Sequence, residues 1–183
     1  MPALFAYGTL TSTEVMCALT GANVAASAIS AVLENHRLCK LRNRSYPTVV
    51  EAAGSEVVGL VYQCLDGLAW RTIDAYEGVE YVLVDATVRT LTGEIIKVKI
   101  FKLRDSFLTS NLLLDEEWEF DVWQRNYLDK AISDCVEFRE EVAAVRKREL
   151  LRGLAEAKFD EDTMLTIGGD EEQDVDVEAV IRI

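Results

Sequence analysis

Ala3-Leu4-Phe5-Ala6-Tyr7-Gly8-Thr9-Leu10-Thr11-Ser12-Thr13-Glu14 is the stretch on which the fold turns. The apolar run Ala3 to Tyr7 reads as a short buried strand, and it stops at a glycine. Gly8 permits a positive φ, so successive backbone N–H groups can point the same way and converge on an anion. Thr11 to Glu14 then reads as a capping box, with Thr11 as N-cap and Glu14 three residues on. It predicts a short helix through Val15, Met16 and Leu19, with Gly21 as C-cap. A helix N-terminus beside the turn also favours anions. Alone, Tyr7-Gly8-Thr9-Leu10 reads as an ordinary structural turn.

Downstream come four strand-like runs: Ala28 to Leu33, Arg37 to Leu41, Thr48 to Glu51 and Val57 to Cys64. Tyr46-Pro47 separates two of them, because the residue before proline is pushed to extended geometry. Asp66 can cap a helix over Leu68 to Tyr76, with Leu68, Ile73 and Tyr76 on its apolar face, Trp70 nearby and Gly78 at its end. Two alternating strands follow. Val82, Val84, Ala86 and Val88 share one face of the first; Ile96, Val98 and Ile100 share one face of the second; Thr92-Gly93 makes the turn between them. Residues 1–104 thus hold about six strands and two short helices, without the regular alternation of a doubly wound sheet. The expected fold is α+β, a small mixed β-barrel with short helices and a long C-terminal helix packed on it.

Residues 105–117 read as a loop. From Glu119 a helical period takes over, with Phe120, Trp123, Tyr127, Ala131, Cys135, Phe138, Val142 and Val145 on one stripe. That helix is expected to pack across the barrel to about Val142, with Arg146-Lys147-Arg148-Glu149 in a solvated extension. The expected organisation is one domain over residues 1–150 and an acidic, partly flexible extension over 151–183. The alternation of Val175 to Ile181 offers an added edge strand as the other reading.

The charge balance, 32 acidic against 19 basic residues and a net −13, argues against nucleic acid and anionic membranes as partners. The apolar stretch after Met1-Pro2 is too short for a signal peptide and has no basic flank. Cys17, Cys39, Cys64 and Cys135 show neither zinc-site nor disulfide spacing, so they read as mostly buried thiols in a reducing cytoplasm. His36, the only histidine, lies in the polar stretch Leu33 to Leu38 and reads as a surface residue. Serine–histidine and cysteine–histidine catalysis therefore drop out, and no metal or other cofactor is expected.

Glu77 follows an amphipathic stretch, beside Gly78 and between Tyr76 and Tyr81. Packed against those tyrosines, its carboxylate would be desolvated and made a better base. A solvated helix-end glutamate is the competing reading. Glu80 is the nearest rival carboxylate, and it should face elsewhere if Glu77 points inward.

Four segments in order, Tyr7-Gly8-Thr9-Leu10, Tyr46-Pro47, Val58-Gly59-Leu60-Val61-Tyr62 and Ile73 to Tyr81, resemble the gamma-glutamylcyclotransferase-like family over residues 3–103. Glu117 to Arg125 resembles the start of the C-terminal helix in its plant avirulence-induced branch. The resemblance implies a loop, Tyr7 to Leu10, that binds the glutamyl end of a small γ-glutamyl substrate through the amides of Gly8, Thr9 and Leu10. It implies Glu77 as acid/base and Tyr81 as a substrate-binding residue. The implied reaction is intramolecular: the substrate α-amine attacks its own γ-carbonyl, releasing an amine and 5-oxoproline. Many relatives carry an arginine close after the second tyrosine, where this chain has Val82-Leu83-Val84; Arg42 and Arg44 are the nearest substitutes. Two other readings stand beside the enzyme. One is a catalytically weak family member that binds a metabolite, or a protein partner through the C-terminal helix or tail; the other is a structural interaction domain. The leaving-group wall is expected from loops such as 105–117.

Overall fold

β1 (Ala3–Ala6), β2 (Ala28–Leu41), β3 (Pro47–Tyr62), β4 (Tyr81–Thr90), β5 (Ile95–Leu103) and β6 (Leu113–Glu117) are joined by helices α1 (Thr13–Thr20), α2 (Gly67–Glu77) and α3 (Phe120–Met164). This computed structural model describes residues 2–108 and 112–164, with side chains as far as residue 154. The strands run in the order β3-β1-β5-β4-β2, and β2 pairs again with β3, which closes a five-stranded barrel; β6 adds to β2 from outside. Only β1 and β5 pair in parallel, so the barrel is mixed, as expected.

Strand alternation in β1 divides the interior in two. Phe5 and Tyr7 face the barrel core with Leu33, Val49, Val61, Val88 and Ile100. Leu4, Ala6 and Leu10 face the helices, together with Met16, Leu19, Tyr62, Ile73, Trp118 and Trp123. Successive side chains on a strand point to opposite faces, so four residues serve two cores. Gly59 makes room for this packing. A Cβ there would stand 2.3 Å from the Ala6 carbonyl oxygen and 2.5 Å from Phe5 Cζ.

Four expected runs prove to be two long strands, of 14 and 16 residues. The polar break Glu34-Asn35-His36 is absorbed as a bulge, with Asn35 at φ 57° and its Oδ1 accepting from Gly54 N at 3.1 Å. Asparagine tolerates the left-handed region, so the strand bends instead of ending. His36 sits at this bulge, its Nδ1 2.8 Å from the Glu34 carbonyl oxygen.

The capping box lies one residue later than expected. Ser12, not Thr11, caps α1: its Oγ accepts from Val15 N at 3.3 Å and donates to Glu14 Oε2 at 2.8 Å. Thr11 closes the preceding 3-10 turn, Gly8–Thr11, by donating to the Gly8 carbonyl oxygen at 2.6 Å. Asp66 caps α2 as expected, accepting from Leu68 N and Ala69 N. That start phases Ala69, Thr72 and Ile73 inward and leaves Leu68 exposed, against expectation.

Residues 105–117 are not simply a loop. A 3-10 turn covers Asp105–Phe107, and β6 pairs with β2. Its acidic side chains reach the basic ones of β2, Lys40 to Glu116 at 2.9 Å and Arg37 to Asp115 at 3.3 Å.

The chain divides into two compact units, residues 1–139 and 140–183. Within the first, Trp123 and Cys135 of α3 are buried, Phe138 packs edge-on against Tyr76, and Arg139 Nη1 donates to the Ala18 carbonyl oxygen at 2.8 Å. That carbonyl lies near the C-terminus of α1, where a cation is favourable. Tyr127 and Val145, also on the expected stripe, are exposed. In the second unit α3 continues as the same helix, and the described side chains of Glu140 to Leu154 are exposed except for Val142 and Arg146, which are half-buried. The expected edge strand at Val175 to Ile181 lies outside the described residues. Among the described residues, no helix is long and apolar enough to cross a membrane, and no group of His, Cys, Asp and Glu could hold a metal.

Candidate active site

A cavity of about 580 Å³ opens between the first strand, the end of α2 and the first turns of α3. It gathers residues from segments far apart in sequence, Tyr7, Thr9, Leu10, Glu77 and Tyr81 among them. Gly8 supports it from behind. Its φ is +61°, and a Cβ there would stand 2.5 Å from Pro47 Cγ. The turn thus needs glycine twice over, for its left-handed backbone and for the close approach of Pro47.

The 3-10 turn decides which amides are available. Each N–H in such a turn bonds to the carbonyl three residues back. Gly8 and Thr9 stand at its start, and its end is closed by Ser12 N donating to the Thr9 carbonyl oxygen at 3.2 Å.

Tyr7 and Tyr81 fix the floor. Tyr7 Oη donates a short hydrogen bond to the Phe101 carbonyl oxygen, and Tyr81 Oη donates to that of Pro47 at 2.9 Å. Burial pushes both phenols well above their ordinary range, with the neighbouring Glu77 adding to it. They are therefore neutral donors tied to backbone, not acids.

Glu77 is the last residue of α2 and only partly exposed. Burial, then the negative Asp74, pushes its carboxyl from 4.5 up to about 8, and no cation offsets either effect. Desolvation penalises the charged form most when nothing pairs with it. Gly78, at φ 65°, ends the helix directly after it, and the next turn is pinned by Arg104, whose backbone N donates to the Glu80 carbonyl and whose Nε donates to that of Val79, both at 2.9 Å.

Glu80 also lines the cavity, which the expectation that it faces elsewhere did not foresee. It differs from Glu77 in being occupied. Arg44 Nη2 lies 2.8 Å from its Oε1, and Tyr46 Oη donates to its Oε2 at 3.3 Å. The Arg44 guanidinium sits 5.7 Å from the Tyr46 ring centre, and Tyr46 meets Tyr81 edge-on at 6.3 Å. Of the two candidate cations, Arg44 is thus the one placed beside this wall, held by Glu80.

Several lining residues escaped sequence reasoning. Among the described residues, the outer wall is made by α3, through Trp123, Tyr127, Lys130, Ala131 and Asp134. A helix three turns wide reads from sequence as a packing face, and nothing in its period tells which part overhangs a cavity. Trp118 has a structural part: its Nε1 donates to the Ser45 carbonyl at 2.9 Å and its ring stacks with Phe120 and Trp123, which holds the Ser45–Pro47 lip against the helix start.

The arrangement is a small mixed barrel with a cavity lined both by the desolvated Glu77 carboxyl and by Thr9 and Leu10 of the turn. The chain belongs to the gamma-glutamyl cyclotransferase, AIG2-like family, whose model matches residues 4–120. AIG2-like protein C of Arabidopsis thaliana is 28% identical over 164 residues, which cover 89% of this chain and 87% of the relative. AIG2-like protein B of the same plant is 25% identical over 75% of this chain and 77% of its own length. A solution structure of an Arabidopsis thaliana protein matches with TM-score 0.55 and 25% identity, over 73% of this chain and 87% of that one. An uncharacterized human protein shares the fold at TM-score 0.52 and 18% identity, covering 100% of this chain and 98% of its own.

Proposed function

We propose that the protein is a gamma-glutamyl cyclotransferase, releasing an amine from a small γ-glutamyl compound and closing the glutamyl part to 5-oxoproline. The observation that carries this reading is Glu77: a carboxyl pushed up to about 8, without a cation, on the wall of a cavity that also presents the Gly8–Thr11 turn. In this reading the amides of the turn, those of Gly8 and Thr9 first, hold the glutamyl end of the substrate. The substrate α-ammonium supplies the countercharge that Glu77 lacks.

Glu77 then takes a proton from that ammonium. A base whose pKa stands near 8 accepts it with far less penalty than an ordinary carboxylate at 4.5. The freed amine attacks the γ-carbonyl carbon, forming the ring C–N bond; the bond to the leaving nitrogen breaks as Glu77 returns its proton to it, and the ring nitrogen gives up its second proton to the departing amine, which leaves as an ammonium. Nucleophile and electrophile belong to one molecule, so holding it folded supplies much of the rate. Each amide donor aimed at developing negative charge would contribute about 3 kcal/mol. Tyr7 and Tyr81 shape the floor in the neutral state, and Leu10 contributes an apolar wall.

The test is to incubate the protein with γ-glutamyl dipeptides and γ-glutamyl-ε-lysine and to measure 5-oxoproline, with Glu77→Gln beside it. Turnover that is abolished by Glu77→Gln supports the mechanism; unchanged turnover in that variant sinks it. Binding of γ-glutamyl compounds without turnover by the wild type would favour the second reading, a metabolite-binding family member.

A further inference from the structure

Each charged residue lining the cavity, apart from Glu77, already has its partner. Glu80 is held by Arg44 and Tyr46. Lys130 Nζ lies 2.7 and 2.6 Å from the two carboxylate oxygens of Asp134, one helical turn on. The mouth therefore offers a ligand no unspent charge.

It does offer unspent apolar surface. Of the eleven large apolar side chains left exposed among the described residues, Val79 and Tyr127, 77% and 47% exposed, are the two that line this cavity. They come from different walls, Val79 from the turn after α2 and Tyr127 from α3. Val79 is presented by a fixed backbone, since Arg104 Nε holds its carbonyl at 2.9 Å. Most of Val79 and about half of Tyr127 stay exposed, so that apolar area is available to be covered when the cavity fills. An aromatic at the edge of a pocket is a favoured anchor because it covers a large area at little entropic cost. Between them and Glu77 the wall continues with the half-buried rings of Tyr46 and Tyr76.

We infer that Val79 and Tyr127 form the leaving-group subsite and select γ-glutamyl compounds whose departing amine carries a large apolar or aromatic group. The inference rests on the cyclotransferase reading for the orientation of the substrate, with its glutamyl end at Gly8 and Thr9 and its other end toward the mouth. A small leaving group would leave both side chains in water. A charged one would meet only charged groups that already hold a partner.

The experiment compares γ-glutamyl-phenylalanine with γ-glutamyl-glycine and γ-glutamyl-ε-lysine, for the wild type, Tyr127→Ala and Val79→Ser. Both side chains face solvent, so melting temperatures should stay close to wild type and report any loss of fold. The expected result is a kcat/KM at least tenfold higher for the phenylalanine compound, with the ratio falling to about one in the double variant. A wild-type ratio near one, a preference for the lysine compound, or a phenylalanine preference that survives both substitutions would overturn the inference. If no compound is turned over, the cyclotransferase mechanism fails separately, and calorimetric binding of the same three compounds decides the subsite. Tighter binding of the phenylalanine compound, lost in Tyr127→Ala, upholds it; equal or absent binding refutes it.

Discussion

Gly8 lies against Pro47 so closely that a Cβ on Gly8 would stand 2.5 Å from Pro47 Cγ and 2.8 Å from its Cδ. The turn that begins with Gly8 and the strand that begins with Pro47 are therefore locked to each other, and Tyr81 Oη ties the Pro47 carbonyl to β4. Gly8→Ala meets both a left-handed backbone and a clash. The first costs about 1–2 kcal/mol and the second about 1–3 kcal/mol. Chemical denaturation should show a loss of roughly 2–5 kcal/mol. Adding Pro47→Ala should restore the part due to the clash and not the part due to φ, which a double-mutant cycle reads directly.

Glu77→Gln keeps the shape of the side chain and removes its basicity. Turnover of a γ-glutamyl dipeptide should fall by about 10²–10⁴-fold, the usual worth of a general acid–base. Substrate affinity should fall less, because the amide turn is untouched.

The same carboxyl sets two pH dependences of known sign. For the unliganded protein, kcat/KM should rise through an apparent pKa of about 8 toward alkaline pH, as Glu77 ionises. Stability runs the opposite way. The folded state holds the Glu77 proton up to about 8, whereas the unfolded chain releases it near 4.5, so this contribution is complete below 4.5 and is lost as pH rises through 8. Urea midpoints measured at pH 5 and pH 9 should therefore fall more for wild type than for Glu77→Gln, by the equivalent of a few kcal/mol at most. Equal falls would remove the buried-carboxyl account.

Glu80→Gln is the contrasting substitution. Its partner Arg44 is 44% exposed, and pairs of this kind contribute about 0–1 kcal/mol. The variant should lose less than about 1 kcal/mol of stability, and its turnover should stay well above that of Glu77→Gln in the same assay. A loss as deep as that of Glu77→Gln would mean that the two carboxylates act together.

Much of this molecule was legible in its sequence because the local signals agreed with the tertiary outcome. Gly21, Asp66 and Gly78 stand where helix boundaries were read, and the alternation in β4 and β5 gave their hairpin. The misreadings share a cause. Asn35 breaks an apolar pattern without breaking a strand, since the bulge lets β2 continue to Leu41. Leu113-Leu114-Asp115-Glu116-Glu117 carries no alternation, yet β6 pairs with β2, with Arg37 and Lys40 reaching its acids. The cavity's inner half followed from short segments with a backbone signature. Its outer half, Trp123, Tyr127 and Ala131 of α3, depends on where that helix crosses, which no local period encodes.

The closed ring of strands has a consequence for the order in which the turn becomes usable. β1 is only four residues long, and its two neighbours are supplied by residues 60–62 of β3 and 98–99 of β5. The strand that carries the turn is thus made before both of its neighbours and is hemmed in on both edges only once β5 exists. Contacts this distant in sequence are slow to form because chain entropy must be overcome first. A nascent chain ending before Val98 has made Tyr7 to Leu10 and Glu77, every residue assigned to the reaction's centre, and still has no ring to hold them in register.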